Sequence, residues 1–165
     1  MSQNPDPAAP LTLAVISDSH LYDPVPWFEE LFERLLARAD VLVHCGDITG
    51  WQVLHLLRRH ERLTAVLGNC DWQLVDELPP SASLTLHGVR IAATHGFADR
   101  AGTPERAAKA FAQGHDLVCY GHTHCRDWSV RHGARLLNPG SLSEGSLALV
   151  TVAPDGSLSC EFVSL

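Results

Sequence analysis

Seven side chains able to bind metal ions through nitrogen or oxygen stand at five places in this 165-residue chain: Asp18 with His20, Asp47, Asn69, His95, and His122 with His124. Each place closes a short apolar run. The run 11–17 delivers Asp18, 41–46 delivers Asp47, 63–68 delivers Asn69, 89–94 delivers His95, and 117–121 delivers His122. Carboxylate, amide carbonyl and imidazole without thiolate suit a divalent transition metal, which can act as a Lewis acid and activate water. Singly, the same residues have simpler uses, Asp18 as the cap of a following helix and Asn69 as the shaper of a turn. Only the recurring pattern points to a metal.

Asp18, Asp47, Asn69, His95 and His122 follow one another at intervals of 29, 22, 26 and 27 residues. That is about one strand plus a returning connection. Parallel strands joined this way leave their carboxyl ends along one edge of a sheet, where open α/β sheets bind ligands. The five tips are therefore expected to converge. The strands 11–17 and 41–45 are apolar nearly throughout, as strands buried on both faces are. Between them, Trp27, Phe28, Leu31, Phe32, Leu35 and Leu36 recur at helical spacing and predict a core-facing helix over 27–38. A second helix is expected over 51–60. A third is expected over 103–113, capped by Thr103 with Pro104 in its first turn. Segments 84–86 and 89–93 read as a hairpin turned at His87-Gly88.

In Gly121-His122-Thr123-His124 the two imidazoles are expected to point to opposite sides of the tip, each to its own metal. Beyond it, 127–131, 134–137, 147–152 and 158–163 read as successive antiparallel strands, with turns at Gly133, Asn138-Pro139-Gly140 and Pro154-Asp155-Gly156. His44, His55 and His60 lie within or at the end of a strand or helix and are read as structural, His44 being the one placed to support the ligands.

Composition narrows the classes. With 45% hydrophobic and 19% charged residues the chain is expected to form a single domain over 11–165, preceded by a disordered tail over 1–10 that contains Pro5, Pro7 and Pro10. A net charge of -7 and one lysine, Lys109, exclude a broad cationic face for extended nucleic acid. Five cysteines, Cys45, Cys70, Cys119, Cys125 and Cys160, form no CxxC pair, which argues for a reducing compartment and against a disulfide framework. No signal peptide or membrane segment is evident, so a cytoplasmic location is expected.

In order, Asp18-x-His20, Gly46-Asp47, Gly68-Asn69-x-Asp71, His95-Gly96 and Gly121-His122-x-His124 resemble the five signature blocks of the calcineurin-like metallophosphoesterase superfamily. The short length, Gly-Asn-Cys-Asp at 68–71 where Gly-Asn-His-Asp is usual, and the Asn138-Pro139-Gly140-Ser141 turn are similar to the small YfcE-type phosphodiesterase branch. The resemblance implies a four-layer αββα sandwich of two mixed sheets flanked by helices. It also implies two metal ions, the first held by Asp18, His20 and His124, the second by Asn69, His95 and His122, with Asp47 bridging. Manganese is the first expectation, with zinc, iron, cobalt or nickel as alternatives. A hydroxide shared by the ions would attack phosphorus in line, and Asn69 would also contact the phosphate of a small phosphoester substrate.

Cys70 stands where most relatives have the histidine thought to protonate the leaving group, and an ordinary thiol is a poor acid and a weak donor. Asp71, which orients that histidine elsewhere, would need another partner. A non-catalytic protein-binding scaffold, like the retromer subunit of this fold with its degraded metal site, and a phosphomonoesterase are the alternative functions. Oligomeric state is left open, a homo-oligomer included.

Overall fold

A computed structural model describes residues 8–165. Ten strands form two five-stranded sheets. The first contains β1 (Leu11–Ile16), β2 (Val41–His44), β3 (Leu63–Ala65), β9 (Ser146–Val152) and β10 (Leu158–Ser164), in the order β10-β9-β1-β2-β3. The second contains β4 (Ser81–Leu86), β5 (Val89–Thr94), β6 (Leu117–Cys119), β7 (Asp127–Arg131) and β8 (Ala134–Asn138), in the order β4-β5-β6-β8-β7. Three α-helices accompany them: α1 (Pro26–Arg34), α2 (Trp51–Leu57) and α3 (Thr103–Phe111).

The period-2 alternation of each strand assigns the layers. In β1, Leu13 and Val15 join Val43, Ile91, Leu117 and Leu137 in the core between the sheets. Ala14 and Ile16 point the other way, onto Phe28, Phe32, Leu54 and Leu57 of α1 and α2. In the second sheet Ala92, Val118 and Leu136 turn outward onto Ala107 and Ala108 of α3. Both faces of the central strands are therefore buried, and the architecture is the expected four-layer αββα sandwich.

Several expectations are corrected in detail. The 27–38 helix breaks at Leu35 (φ -128°, ψ -57°), and 36–38 form one 3-10 turn. The 51–60 helix ends at Leu57. Thr103 is not the cap of α3 but lies in its first turn; Gly102 is the cap residue, and the Thr103 hydroxyl donates to the Asp99 carbonyl at 3.0 Å. The last four strands do not make one antiparallel meander. β7 and β8 pair antiparallel in the second sheet, where β8 runs parallel to β6, whereas β9 crosses to the first sheet to pair with β1 and β10. The tail expected over 1–10 falls largely outside the described residues; at its inner end the Ala9 carbonyl meets His87 Nε2 at 2.9 Å. No helix among the described residues is long and apolar enough to cross a membrane.

Candidate metal centre

The loops that carry the seven candidate ligands leave the carboxyl ends of β1, β2 and β3 in one sheet and of β5 and β6 in the other. They lie not along one sheet edge but across the mouth between two facing edges. Hydrogen bonds stitch that mouth. His95 Nδ1, from the second sheet, donates to the Cys45 carbonyl of the first at 2.7 Å, and the His122 N–H donates to Asp18 Oδ2 at 3.2 Å.

Tight packing forces the local backbone. Asp18, His20, Asp47, His122 and His124 have φ between 49° and 68°, five of the nine non-glycine residues in the left-handed region among those described. Each such residue costs about 1 kcal/mol, so the strain is concentrated here and must be held by its surroundings. The 121–124 tip is consequently bent, not extended, and its two imidazoles diverge because of that bend. Gly46 is required at φ 90°, where a Cβ would stand 2.8 Å from the His95 ring. At Gly68 a Cβ would collide with the Asp47 backbone and carboxylate.

Two donor groups result. In the first, Asp18, fully buried, turns Oδ1 towards His124 Nε2 (3.2 Å) and His20 Nε2 (3.8 Å). In the second, His95 Nε2 lies 3.0 Å from Asn69 Oδ1 and 3.4 Å from Asp47 Oδ2. Asp47 Oδ2 is also 3.7 Å from His20 Nε2, so this carboxylate stands between the groups. Donor atoms of Asp18, Asp47 and His95, and separately of Asp18, His20 and His124, lie within 4.8 Å of one another. His122 is beside the second group but not aimed into it: its ring meets that of His95 edge-on at 5.2 Å, and Nε2 faces the Ala98 carbonyl at 2.9 Å. Cys70 Sγ falls within 4.8 Å of His20 and Asp47 donor atoms, a sulfur that the cysteine spacing alone did not bring to the site.

The chemistry of these contacts fits a cation. His124 Nδ1 is 3.0 Å from the Glu144 carboxylate and must donate to it, so in the neutral ring Nε2 presents a lone pair to Asp18 Oδ1. Asp18 Oδ1 is buried and accepts no hydrogen bond. Similarly, His95 Nδ1 donates to a carbonyl, which leaves Nε2 as a lone pair facing two oxygens. Lone pairs face lone pairs in both groups, a conflict that a bound cation relieves, as does a proton on the imidazole or on the facing carboxylate.

Without a cation the pair Asp47–His95 responds as an ion pair. Burial pushes His95 towards the neutral form, but its hydrogen bond and attraction to Asp47 outweigh this and raise its pKa. Burial likewise pushes Asp47 up, and the His95 hydrogen bond and charge with the Cys70 N–H bring it well below the usual carboxylate range. Burial and the neighbouring Asp47 push the Cys70 thiol up to about 11.

The contacts of several supporting residues, and Glu144 altogether, were not legible in the sequence. Asp71, deprived of a histidine partner, instead accepts the N–H groups of Asp47 (3.0 Å), Thr49 (2.8 Å) and Gly68 (2.7 Å). Glu144 orients His124. Asn138 donates to the Gly121 carbonyl and to Thr123 Oγ1, and Ser141 donates to the Asp18 carbonyl at 3.0 Å, so the Asn-Pro-Gly-Ser turn braces two ligand loops. His44, buried, accepts the Gly46 N–H on Nδ1 and holds Ser19 Oγ at 3.0 Å from Nε2.

Two mixed sheets with donor loops across their shared mouth define the class of a metallophosphoesterase. The profile of the calcineurin-like phosphoesterase superfamily domain matches residues 11–153, and the chain belongs to that superfamily. It is 32% identical over 144 residues to the "Probable metallophosphoesterase MJ0623" of Methanocaldococcus jannaschii, covering 79% of this chain and 68% of that one. The solution structure of Thermotoga maritima protein TM1076 superposes with a TM-score of 0.70 at 31% identity, over 94% of this chain and 99% of that one. Vacuolar Protein Sorting 29 from Cryptosporidium parvum, at 17% identity, TM-score 0.70 and coverage of 94% and 98%, shares the fold.

Proposed function

We propose that the protein is a metal-dependent phosphodiesterase acting on small phosphoesters. The position of Asp47 carries this reading, since one carboxylate oxygen lies 3.7 Å from His20 Nε2 and 3.4 Å from His95 Nε2 and so joins both donor groups. Asp18, His20 and His124 would hold one divalent ion, Asn69, His95 and His122 the other, and Asp47 both. Manganese is the first choice for these nitrogen and oxygen donors, with zinc, iron, cobalt and nickel as alternatives.

Bound ions supply a positive field for the phosphoryl oxygens and acidify water to serve as nucleophile. The chain's own residues do the rest. Two carboxylates against two 2+ ions leave the mouth net positive, which draws a phosphate to a chain of net charge -7. Asn69, exposed at the mouth, offers its amide to the phosphate. Cys70, a thiol held near 11, is a poor source of a proton for the departing oxygen, so esters whose leaving group departs unprotonated are preferred. A cleft of about 380 Å³ bordering Asn69 and His95 gives room for a second ester substituent, which favours a diester over a monoester.

Donors from Asp18, His20 and His124 in one group and from Asp47, His95 and Asn69 in the other favour an enzyme over a protein-binding scaffold, with His122 needing only a turn of its ring to join them. Hydrolysis of bis-p-nitrophenyl phosphate is expected with manganese and is expected to vanish with a chelator or in Asp47→Ala; activity that survives both overturns the reading. Five free cysteines support a reducing, cytoplasmic setting.

A further inference from the structure

Three of the eight exposed large apolar side chains among the described residues, Tyr22, Trp72 and Phe97, sit two or three residues beyond a candidate ligand, namely His20, Asn69 and His95. An exposed aromatic ring beside a donor group is a candidate binding surface when it also lines a cleft. Of these, Phe97, 69% exposed, lines a cleft that the candidate ligands themselves also line. That cleft, about 380 Å³, is walled by Leu67, Pro80, Phe97 and Phe111 and ends on Asn69 and His95. A second cleft of about 370 Å³ shares Phe97 and Phe111 with it and leads to Arg106 and Lys109.

The backbone of Phe97 is held in position. Arg106 Nη2 donates to the Phe97 carbonyl at 2.6 Å, Arg106 Nη1 pairs with the Asp99 carboxylate at 2.9 Å, and the guanidinium carbon lies 5.8 Å from the ring centre. An exposed phenyl group fixed from beneath its backbone is a platform, and the natural complement of a phenyl face is another flat π-system. The cleft begins at side chains proposed to hold the phosphate, so its occupant must be attached within a few bonds of phosphorus.

We propose that this cleft receives a planar aromatic group carried by the phosphoester, supplied either by a nucleobase or by a simple aryl ring. The proposal rests on the phosphoesterase reading and adds to it the substrate class. Phe97 and Phe111 are then specificity-determining residues, with Phe97 the main stacking surface.

Calorimetric titration of the manganese-loaded protein with inorganic phosphate, methylphosphonate, phenylphosphonate and adenosine 5′-monophosphate tests this without turnover. The expected result is binding of phenylphosphonate or the nucleotide about 5-fold or more tighter than methylphosphonate, the low end of what a stacked ring contributes. Phe97→Ala is expected to remove most of that preference and Phe97→Trp to restore it. The stronger of the two aromatic ligands identifies the source of the ring. Equal binding of all four ligands overturns the cleft assignment while leaving the metal centre standing, and so does a preference that Phe97→Ala leaves intact. Failure of the loaded protein to bind inorganic phosphate would instead remove the phosphoesterase reading, and this proposal with it.

Discussion

The carboxylate of Asp71 accepts the backbone N–H of Asp47 at 3.0 Å, and with its other contacts to Thr49 and Gly68 it ties the loop after β2 to the loop after β3. A residue whose usual histidine partner is missing thus has a complete set of partners in the main chain. Asp71 is 1% exposed, so removing it strands two buried donors and a half-buried one.

Asp71→Ala is therefore expected to cost about 3 kcal/mol of stability, since an unpaired buried donor costs roughly 1–3 kcal/mol and the loops relax only in part. Asp71→Asn keeps one acceptor but turns an N–H₂ towards an N–H, and it is expected to fall between the two. Chemical denaturation reads the stability. A parallel metal titration should show affinity lowered roughly 10- to 100-fold, as for other residues that orient ligands. An unaltered denaturation midpoint in Asp71→Ala would mean that the loops are held by other contacts.

Glu144 separates orientation from stability. Its side chain is 63% exposed, so its pairing with His124 contributes little to folding. It does fix which nitrogen of His124 carries the proton. Glu144→Ala is expected to leave the melting temperature within a degree or two and to weaken binding at the Asp18, His20 and His124 group roughly 10-fold or more. Differential scanning calorimetry and metal titration give the two numbers from one preparation.

Cys70 makes a chemical prediction with a definite sign. A thiol raised to about 11 is only about one part in a thousand thiolate at pH 8, and the thiolate is the reactive form. In the chelated protein, alkylation of Cys70 by iodoacetamide is expected to rise about tenfold per pH unit up to about pH 11, followed by peptide mass spectrometry. Replacement by histidine supplies the missing acid: Cys70→His is expected to speed hydrolysis of alkyl diesters by about 100-fold or more while changing aryl diesters little. Equal effects on both ester types would show that residue 70 does not serve the leaving group.

Strand tips were legible in the sequence because an apolar run that closes on a ligand-type residue, three times out of five through Gly, recurs five times at strand-plus-connection spacing. Their distribution between sheets was not. A parallel strand reads alike in either sheet, and the transfer from β3 to β4 takes place through 66–80 without a composition change to mark it. The same holds for β8 and β9, whose turn residues are plain but whose partners are chosen by packing on Leu137 and Val150 in the shared core. The break after Arg34 lacks a Gly or Pro signal and follows from the turn needed to bring Leu36 onto the sheet. Glu144 was one acid among nineteen acidic residues, and only the return of β9 to the first sheet sets it beside His124. Asp71 stood in its motif but its partners did not show, because they are N–H groups that every residue but proline owns.

His44 predicts how the protein responds to acid. Burial, reinforced by the charge of His95, lowers its pKa to about 3, and its two hydrogen bonds suit the neutral ring, with Nδ1 accepting from Gly46 and Nε2–H facing Ser19. In the unfolded chain the same imidazole titrates near 6.5. Because the folded value is the lower one, the unfolded state binds a proton that the folded state refuses, and His44 subtracts stability progressively as pH falls from about 6.5 towards 3. His95, raised in the metal-free protein, acts in the opposite sense, so the total curve does not isolate either group. A difference does. His44→Gln preserves an acceptor for Gly46 and a donor for Ser19 but cannot titrate. Below pH 6.5 the wild type is expected to lose stability relative to this variant by about 1.4 kcal/mol per pH unit. Urea denaturation of both chelated proteins between pH 7 and 5 measures the difference, and parallel curves would mean that His44 takes up its proton without unfolding.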